Sequence, residues 1–558
     1  MYARIGRAVV LPLIIILAAC SGDGSDLGQR SNDGDQQGNR QPVAPAFVPL
    51  PETPGECPTS RDGLLEAADI LPELLVNEQT LEAWQTYMVD LGPRFTGSKA
   101  LQNWHDFLAH QLEATGLEVV REPVAIDWDF HKNWSLSITA DGEVIELPVA
   151  SYFPYSGSTS SSGVTGELVD VGAGLITDFL TSNVREKVAF FEVDMLPTTM
   201  GLFYLNASYI HDPDQTLSPL TDYSKLSLSI ITPQLSIIGP EQTTSLYNAR
   251  EGGAAGAIIS LEASADNAAG QYTPFHHHPG DAYGVPTLYV DRATGDRIKE
   301  ILASADSVTA KLVLEVDEHR GASTDDIIAT LPGSSDEVVI INTHTDGTSA
   351  SEENGGLAVL AMARYYATLA PECRKRTLVF VLSPGHFHGG IGGDIGRFIE
   401  NHPEIMDRTV ASVTPEHLGQ MEWLDDEEGF HGTGLVEPAI IFGSPSPAVQ
   451  TIITNAVRAE DLRRTVVSRP VGGVAIYFGL GSDLNSHGVP NAAFLTGPEM
   501  LYSFASNQHL DKVNYERMHK EIRTLTRITS AFDSVERILL CVGILPTAAP
   551  PHGCFSVQ

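Results

Sequence analysis

Residues 338–347 read VVIINTHTDG, and this stretch decides the fold. Its first four residues are apolar without alternation, which is typical of a strand that is covered on both faces of a sheet. Polar residues follow at once, and a helical pattern begins after residues 352–356, EENGG. A strand that leads through a polar turn into a helix is the repeating unit of a parallel α/β sheet. We therefore predict a mostly parallel mixed sheet that is sandwiched by helices.

The alternation of strands and helices continues on both sides of this unit. Upstream, two helices are predicted within residues 64–117, the first capped by Asn77 or Thr80 and the second ending at Gly116. Downstream, the apolar periodicity predicts strands at residues 377–382, 409–413 and 492–496 and helices at residues 356–369, 395–401 and 515–540.

The pattern changes between residues 156 and 322, where short β-runs replace the alternation. An inserted β-rich domain accounts for this change, with strands at residues 166–171, 187–193, 256–260 and 286–290. The predicted organisation is a signal peptide at 1–20, a flexible linker at 21–60, a catalytic α/β domain at 61–155 and 323–545, the insert at 156–322 and a tail at 546–558.

The chain is strongly acidic. Its 558 residues leave room for two or three domains and include 34 Lys and Arg against 71 Asp and Glu, a formal net charge of −37. Such a charge repels phosphate backbones and anionic lipid headgroups, which argues against nucleic acid and against a polybasic membrane contact. Divalent metal ions and cationic ligands remain compatible with it.

The N-terminus has the form of an export signal. Arg4 and Arg7 precede an apolar run at residues 9–19, which is shorter than the ~20 residues of a membrane-spanning helix. The run ends in LAAC, which resembles the processing box of bacterial lipoproteins, where the cysteine, here Cys20, is acylated. Ser21 fits sorting to the outer membrane, with the lipid as the only membrane contact. The alternative is a soluble secreted protein in which Cys20 has no special role.

Four cysteines remain in the body of the chain: Cys57, Cys373, Cys541 and Cys554. An even number of cysteines in an exported protein predicts two disulfides, and three pairings are possible. We favour Cys541 with Cys554 because these two bracket a short proline-rich tail.

Residues that can bind a metal follow the predicted strands. Sites in open α/β sheets lie beyond the carboxyl ends of the strands. Four successive strands are each followed by a histidine, a glutamate or both, and imidazole and carboxylate are ligands that zinc accepts. We therefore predict a metal site at this edge of the sheet. The residues concerned are His344, Asp346, Glu352, Glu353, His386, His388, Glu416 and His509.

The body of the chain resembles the family of co-catalytic zinc aminopeptidases and glutamate carboxypeptidases, in the branch that carries a protease-associated insert. Residues 92–98, GPRFTGS, resemble a motif of that family, and residues 156–322 resemble its insert. In His344-Thr345-Asp346, the resemblance implies that His344 binds metal and that Asp346 orients it.

The resemblance implies further ligands. Glu352 falls where the family has a bridging Asp, and Glu353 is close enough to compete for that role. Glu416 falls on a later Asp ligand, and residues 511–513, DKV, resemble the end of the segment that carries the last His ligand. The implied cofactor is zinc, as one ion or two.

Two segments depart from the family pattern. His386-Phe387-His388 stands where the family has a Glu-Glu pair of general base and ligand, and YSF at residues 502–504 replaces the usual Tyr-His-Thr. His509 is the histidine nearest to the second segment. His386 or His388 then acts as a ligand or as the catalytic base, because an imidazole accepts protons near neutral pH.

We expect an exported metal-dependent hydrolase that acts on peptide or small amide substrates through a metal-activated water. Two alternatives stay open. One is a catalytically inactive binding protein, as the transferrin receptors are in the same broad family. The other is cyclisation or cleavage of a non-peptide amide, as in the similar glutaminyl cyclases. The sequence contains no Gly-x-Ser-x-Gly, Walker, His-Glu-x-x-His or Cys-x-x-Cys motif.

Two further patterns receive simpler interpretations. Three histidines at residues 276–278 are interpreted as a solvent-exposed run, with a loop that closes over the site as the alternative. Five acidic residues within residues 422–428 are interpreted as a solvated face.

Overall fold

The strands pair into one mixed sheet in the computed structural model, which describes residues 42–58, 66–193, 199–223, 245–272, 284–387, 395–469, 477–505, 508–544 and 552–555. Fifteen strands of this described part belong to that sheet, and two others form a separate hairpin. All described residues except the first lie in one compact unit, Val43–Gln558.

The strands range in length from 2 to 24 residues. In chain order they are β1 Glu118–Ala140, β2 Glu143–Leu147, β3 Ser151–Tyr152, β4 Val164–Asp170, β5 Val188–Val193, β6 Ala207–His211, β7 Gly256–Leu261, β8 Thr287–Val290, β9 Val308–Leu331, β10 Ser335–His344, β11 Arg376–Ser383, β12 Thr409–Pro415, β13 Met421–Asp426, β14 Gly429–Val436, β15 Ala439–Gly443, β16 Thr465–Ser468 and β17 Asn491–Thr496.

Helices lie at or near all of the predicted positions, and the structure adds others that were not predicted, including two of 13 residues at Arg292–Ser304 and Pro447–Ala459. In chain order they are α1 Glu78–Asp90, α2 Lys99–Ala114, α3 Ile176–Thr181, α4 Gly201–Tyr204, α5 Ser245–Gly252, α6 Ala265–Ala268, α7 Arg292–Ser304, α8 Gly355–Thr368, α9 Ile395–Asn401, α10 Pro403–Met406, α11 Pro447–Ala459, α12 Gly481–Ser486, α13 Tyr515–Ser534 and α14 Arg537–Cys541. None of the helices in the described ranges is both long and apolar enough to cross a bilayer.

Four strands at the centre of the sheet set up the candidate site. Strand β10 pairs in parallel with β11 on one side and with β12 on the other, and β17 pairs in parallel with β12. The carboxyl ends of these strands therefore lie at one edge of the sheet, as the alternation of strands and helices predicts.

The central strands are buried on both faces. Val339 and Ile341 of β10 belong to the core that α1, α2, α8 and α13 cover. Val338 and Ile340 point the opposite way and pack with Phe398 of α9. Successive side chains of a strand alternate between faces, so an unbroken apolar run needs cover on both. Burial of β10 on two faces confirms the interpretation of residues 338–341.

The closing helix is shorter than predicted. Helix α13 ends at Ser534, and Val535 is extended before α14 begins, so the single helix predicted at residues 515–540 is wrong. Arg376 accounts for the break, because its Nη1 donates to the main-chain oxygen of Val535 at 2.7 Å and also to that of Phe532. A guanidinium that binds the last carbonyls of a helix satisfies groups that would otherwise lack partners.

Strands β1 and β9 form a long antiparallel ribbon that was not predicted from the sequence. Ala140 pairs with Val308 at one end and Glu118 with Thr330 at the other. The middle of β9 is polar and exposed, whereas β1 has a large apolar residue at every second position from Val124 to Phe130, with Val124 and Ile126 buried. This alternation in β1 is a strand signal that our prediction missed.

The acidic stretch at residues 422–428 belongs to the hairpin of β13 and β14 rather than to a fully solvated face. Glu422 is buried against Arg464, and the buried Asp425 accepts hydrogen bonds from the main chain of Ser264 and the amide of Asn267. The interpretation of this stretch as a solvated face is therefore wrong for Glu422 and Asp425, because opposite charge and hydrogen-bond donors compensate their burial.

Both predicted disulfides form, Cys57 with Cys373 and Cys541 with Cys554. The favoured pairing is confirmed. The histidines at 276–278, together with Cys20 and His388, lie outside the described residues, and the predicted domain boundaries stay predictions.

Candidate metal centre

Strand β10 delivers His344 to the edge of the sheet, where its side chain is fully buried. Its Nδ1 lies 2.9 Å from the main-chain oxygen of Asp346 and 3.3 Å from Oδ1 of the same residue. Two acceptors beside Nδ1 assign the proton to that nitrogen and leave Nε2 as the ligand atom. Nε2 lies 3.7 Å from Oε1 of Glu352 and 3.4 Å from Oε2 of Glu353.

The carboxylate of Asp346 is held in place from several directions. It accepts main-chain hydrogen bonds from His386 at 3.1 Å and Phe387 at 2.8 Å, and Thr96 donates its hydroxyl to Oδ2. Burial raises the pKa of Asp346, although His386 and these hydrogen bonds oppose that change. The contacts fit the orienting role that the resemblance implies for Asp346.

Glu352 and Glu353 lie in the turn between β10 and α8, and both side chains are fully buried. Glu353 Oε1 lies 2.9 Å from the hydroxyl of Thr343 and accepts the N–H of Gly355. A Cβ at Gly355 would overlap Glu353 and the main-chain oxygen of Pro415, so the turn requires glycine there.

Strand β12 supplies Glu416 and, directly after it, His417. Glu416 accepts the N–H of Leu480 at 2.9 Å. Nδ1 of His417 donates to the main-chain oxygen of Thr496 at 2.8 Å, and Nε2 lies 2.7 Å from Oε2 of Glu352. His417 was not among the predicted site residues.

A left-handed backbone conformation, which is not evident from the sequence, brings the side chain of His417 into the site. Glu416 and His417 follow the end of β12 at Pro415, so strand alternation does not determine which of the two side chains faces the site. His417 has φ of 54°, which turns its side chain back toward Glu352. The available signal was the Glu-His pair itself at the end of a strand.

His386 comes shortly after the end of β11, and its imidazole ring packs against that of His344. The two rings have centroids 4.2 Å apart, and Nε2 of His386 lies 4.0 Å from Oε1 of Glu352. The side chain of His386 is 14% exposed, whereas those of His344 and Glu352 are 0% exposed. His386 is thus the more accessible of the two histidines.

The remaining predicted ligand, His509, lies outside this cluster. It is buried at the start of the 3-10 turn Leu510–Lys512 and has φ of 60°. Burial, with help from Lys512, lowers the pKa of His509 to about 4. Within the described chain, His509 belongs to neither group of converging ligand atoms.

The ligand atoms converge in two overlapping groups. His344, Glu352 and His386 form one group, and His344, Glu416 and His417 form the other, with all ligand atoms of each group within 4.8 Å of one another. Zinc bonds of ~2.0–2.2 Å in a tetrahedron place ligand atoms about 3.3–3.6 Å apart. The separations of 3.4 and 3.7 Å between Nε2 of His344 and the two glutamates are close to that spacing.

The electrostatics of the cluster favour a cation. Burial raises the pKa of Glu353 to about 8 and that of Glu416 to about 7, with the neighbouring glutamates adding to both shifts. Burial alone would lower the pKa of His417, but Glu352, Glu353 and Glu416 raise it to about 9. A bound cation would therefore stabilise the ionised form of these carboxylates.

Glu352 differs from its neighbours because three imidazoles surround it. Burial alone would raise the pKa of Glu352, but His417, His344 and His386 bring it below its usual value. Oε1 of Glu352 and Oε2 of Glu353 accept no hydrogen bond within the described chain, although both atoms are buried. Buried carboxylate oxygens without donors fit metal coordination.

Comparison with solved structures identifies relatives of the fold. A peptidase M28 precursor from Shewanella amazonensis SB2B is 17% identical, with a TM-score of 0.59 over 85% of this chain and 98% of that one. A zinc aminopeptidase from Bacillus subtilis is 14% identical, with a TM-score of 0.54 over 85% and 100%. An aminopeptidase from Aneurinibacillus sp. strain AM-1 is 16% identical, with a TM-score of 0.53 over 87% and 100%.

The fold is that of the zinc aminopeptidases. The predicted zinc exopeptidase-like α/β fold is thereby confirmed, while the protease-associated character of residues 156–322 stays a prediction. No family model matches the sequence, and no curated protein is similar to it. At identities of 14–17% the zinc aminopeptidase fold is shared, and the activity has to be inferred from the residues of the centre.

Proposed function

We propose that the protein is a zinc-dependent hydrolase that cleaves peptide or small amide bonds. The observation that carries this proposal is the convergence of His344, Glu416 and His417, with Glu352 beside them, at the carboxyl ends of the central strands. The zinc aminopeptidase fold supports it, because the cluster lies where sites form in open α/β sheets.

Each residue of the cluster has a distinct task in this proposal. His344, Glu352, Glu416 and His417 would hold the ion, with Glu353 as the alternative to Glu352, and Asp346 fixes the ring of His344 through Nδ1. The chemistry that zinc supplies when bound is Lewis acidity toward water and toward an amide carbonyl.

His386 is the proposed proton acceptor, at Nε2. It stands where the family has its Glu-Glu pair, and its partial exposure allows contact with substrate and proton exchange with solvent. An imidazole is suited to this task near neutral pH. His388, the other candidate from the sequence, keeps its proposed role as an alternative ligand or base.

Arg94 supports the turn that carries Glu352. Its buried guanidinium donates through Nη2 to the main-chain oxygens of Ser349 and Glu352, both at 2.8 Å. The main chain of Arg94 also pairs with Gly347. Arg94 of the GPRFTGS motif therefore fixes the position of the turn that carries Glu352.

Export and lipid anchoring through Cys20 belong to the same proposal. Two disulfides fit an oxidising compartment, and a peptidase tethered outside the cell would meet peptide substrates there.

Hydrolysis assays test the proposed function. Zinc-loaded protein is offered free aminoacyl anilides, N-acetylated peptides and non-peptide amides, with His344→Ala as the inactive variant and His110→Ala, at an exposed position of α2, as the matched control. Loss of an outer-shell partner costs ~10–100-fold, so loss of the ligand His344 should lower kcat/KM at least ~100-fold. Absence of turnover on every substrate by the folded, zinc-loaded protein would favour a binding protein instead.

A further inference from the structure

We infer that the centre takes one zinc ion, not two, and that His417 completes its ligand set. This inference rests on the proposed function and sharpens it. Three features of the cluster carry it: the nitrogen shared by the two groups, the position of His417, and the residue that follows His386.

His344 belongs to both groups of ligand atoms, and only its Nε2 is available to a metal in either group. Nδ1 of His344 faces the two oxygens of Asp346, which leaves Nε2 for a metal. An imidazole nitrogen has one lone pair and binds one ion, whereas a carboxylate can bridge two. The two groups therefore describe overlapping choices for a single ion.

The second oxygen of Glu352 lies beside a proposed ligand of the first ion. Oε1 of Glu352 faces His344 and His386, while Oε2 faces Nε2 of His417 at 2.7 Å. A bridging carboxylate would need Oε2 to reach a second ion, but Oε2 lies beside Nε2 of His417, which is the proposed ligand of the first ion.

His417 is held firmly in this position. Its Nδ1 donates to the main-chain oxygen of Thr496, and the hydroxyl of Thr496 donates back to the main-chain oxygen of His417 at 2.6 Å. A ring fixed through one nitrogen presents the other as a ligand in one orientation, which is how metal-binding histidines are generally oriented.

The residue after His386 offers no ligand to a second ion. Phe387 is 2% exposed and packs edge-on against Tyr272 and Tyr502, with ring centroids 5.9 and 6.2 Å away. His509 is the last ligand predicted from the sequence, and it lies outside both groups. Within the described ranges, the converging ligand atoms thus fit one ion.

Metal content tests the inference directly. The full-length protein is stripped with a chelator, dialysed against buffered zinc and analysed for zinc per chain by elemental mass spectrometry. One equivalent is expected. Two tightly held equivalents would overturn the single-ion inference and leave the proposed function standing, whereas no bound zinc would contradict the proposed function itself.

Variants separate the two histidines that compete for the last ligand position. His417→Ala and His417→Gln should weaken zinc binding at least ~100-fold in competition with a chelating indicator. His509→Gln and the control His110→Ala should each keep one equivalent with unchanged affinity. Circular dichroism establishes which variants are folded. Unchanged affinity in a folded His417 variant, or loss of zinc from a folded His509→Gln variant, would contradict the assignment.

Discussion

At the level of single residues, the centre depends on a backbone conformation as much as on side-chain chemistry. Left-handed φ at a residue other than glycine costs on the order of 1 kcal/mol or more. His417 adopts it at the end of β12, where two hydrogen bonds with Thr496 offset that cost. As a result, the side chains of Glu416 and His417, which are adjacent in the chain, converge on the same centre.

His105 contacts Thr345, the neighbour of the proposed ligand His344. Burial of His105 should make the free energy of unfolding depend on pH. Its Nε2 lies 2.6 Å from the hydroxyl of Thr345, which in turn donates to the main-chain oxygen of Ser383 at 2.9 Å. Burial lowers the pKa of His105 to about 3, and Arg121 adds to that effect. The folded protein therefore keeps His105 neutral, while the unfolded chain protonates it near pH 6.5.

The sign of the effect follows from proton binding. Below pH 6.5 the unfolded chain binds one more proton at His105 than the folded protein does, so the free energy of unfolding falls as the pH falls toward about 3. We expect a contribution of up to about 1.4 kcal/mol per pH unit, which His105→Gln should remove. Denaturant unfolding of both proteins at pH 7, 6 and 5 measures it. Parallel pH dependences for the two proteins would contradict the prediction.

At the level of elements, one side chain connects the two turns that carry the ligands. Asn354 precedes α8, and its Oδ1 accepts the N–H of Leu418 at 2.7 Å while its Nδ2 donates to the main-chain oxygen of Leu418 at 2.8 Å. Leu418 directly follows His417. The turn with Glu352 and Glu353 is thus linked to the turn with Glu416 and His417.

We predict that Asn354→Ala weakens zinc binding by about 10–100-fold, the range typical of lost outer-shell partners. Asn354→Asp keeps the acceptor for the N–H of Leu418 and should lose less affinity than Asn354→Ala. Asn133→Ala, at an exposed position of β1, is the matched control. Zinc competition titrations provide the measurement, and equal affinity of folded Asn354→Ala and wild type would contradict this role.

The sequence predicted the elements around the central strands, but it missed some that do have an apolar pattern, such as β15 and α11. Residues 395–401 were predicted as a helix with the bounds that α9 has, and β10 and β11 were located to within a few residues. The polar and exposed middle of β9 gave no clear signal. The end of α13 depends on Arg376, which comes from a distant part of the chain and which no local pattern reveals.

Most residues of the centre could be predicted from the sequence, because they lie at or after the ends of the parallel strands. His344, Glu352, His386 and Glu416 do come together, because parallel strands share one edge. The position of His509 could not be predicted from its distance along the chain, since its left-handed backbone before the 3-10 turn Leu510–Lys512 is not evident from the sequence. The roles assigned to all of these residues stay predictions until zinc binding is measured.

At the level of the whole molecule, the two disulfides should differ in their effect on stability. Cys57 and Cys373 are 316 residues apart in sequence, and Cys541 and Cys554 are 13 apart. In the loop-closure model, the long cross-link stabilises the fold by about 6 kcal/mol and the short one by about 3 kcal/mol, because the longer loop restricts the unfolded chain more.

We therefore predict that Cys57→Ser with Cys373→Ser lowers the free energy of unfolding by more than Cys541→Ser with Cys554→Ser. Guanidinium unfolding without reductant compares the two double variants with wild type. Both should keep their zinc content, since the four cysteines lie outside the ligand groups. Equal losses, or a larger loss for the short loop, would contradict the prediction.

The ribbon of β1 and β9 also determines the order in which the molecule can be assembled. Because Ala140 pairs with Val308, the chain between them has to bring its own ends together before β9 can align on β1. Contacts between residues so far apart in sequence slow folding. As the chain emerges N-terminus first, the completed ribbon can then serve as the template on which β11 adds and β10 follows. We therefore expect the sheet edge that carries the proposed zinc ligands to become ordered after the ribbon.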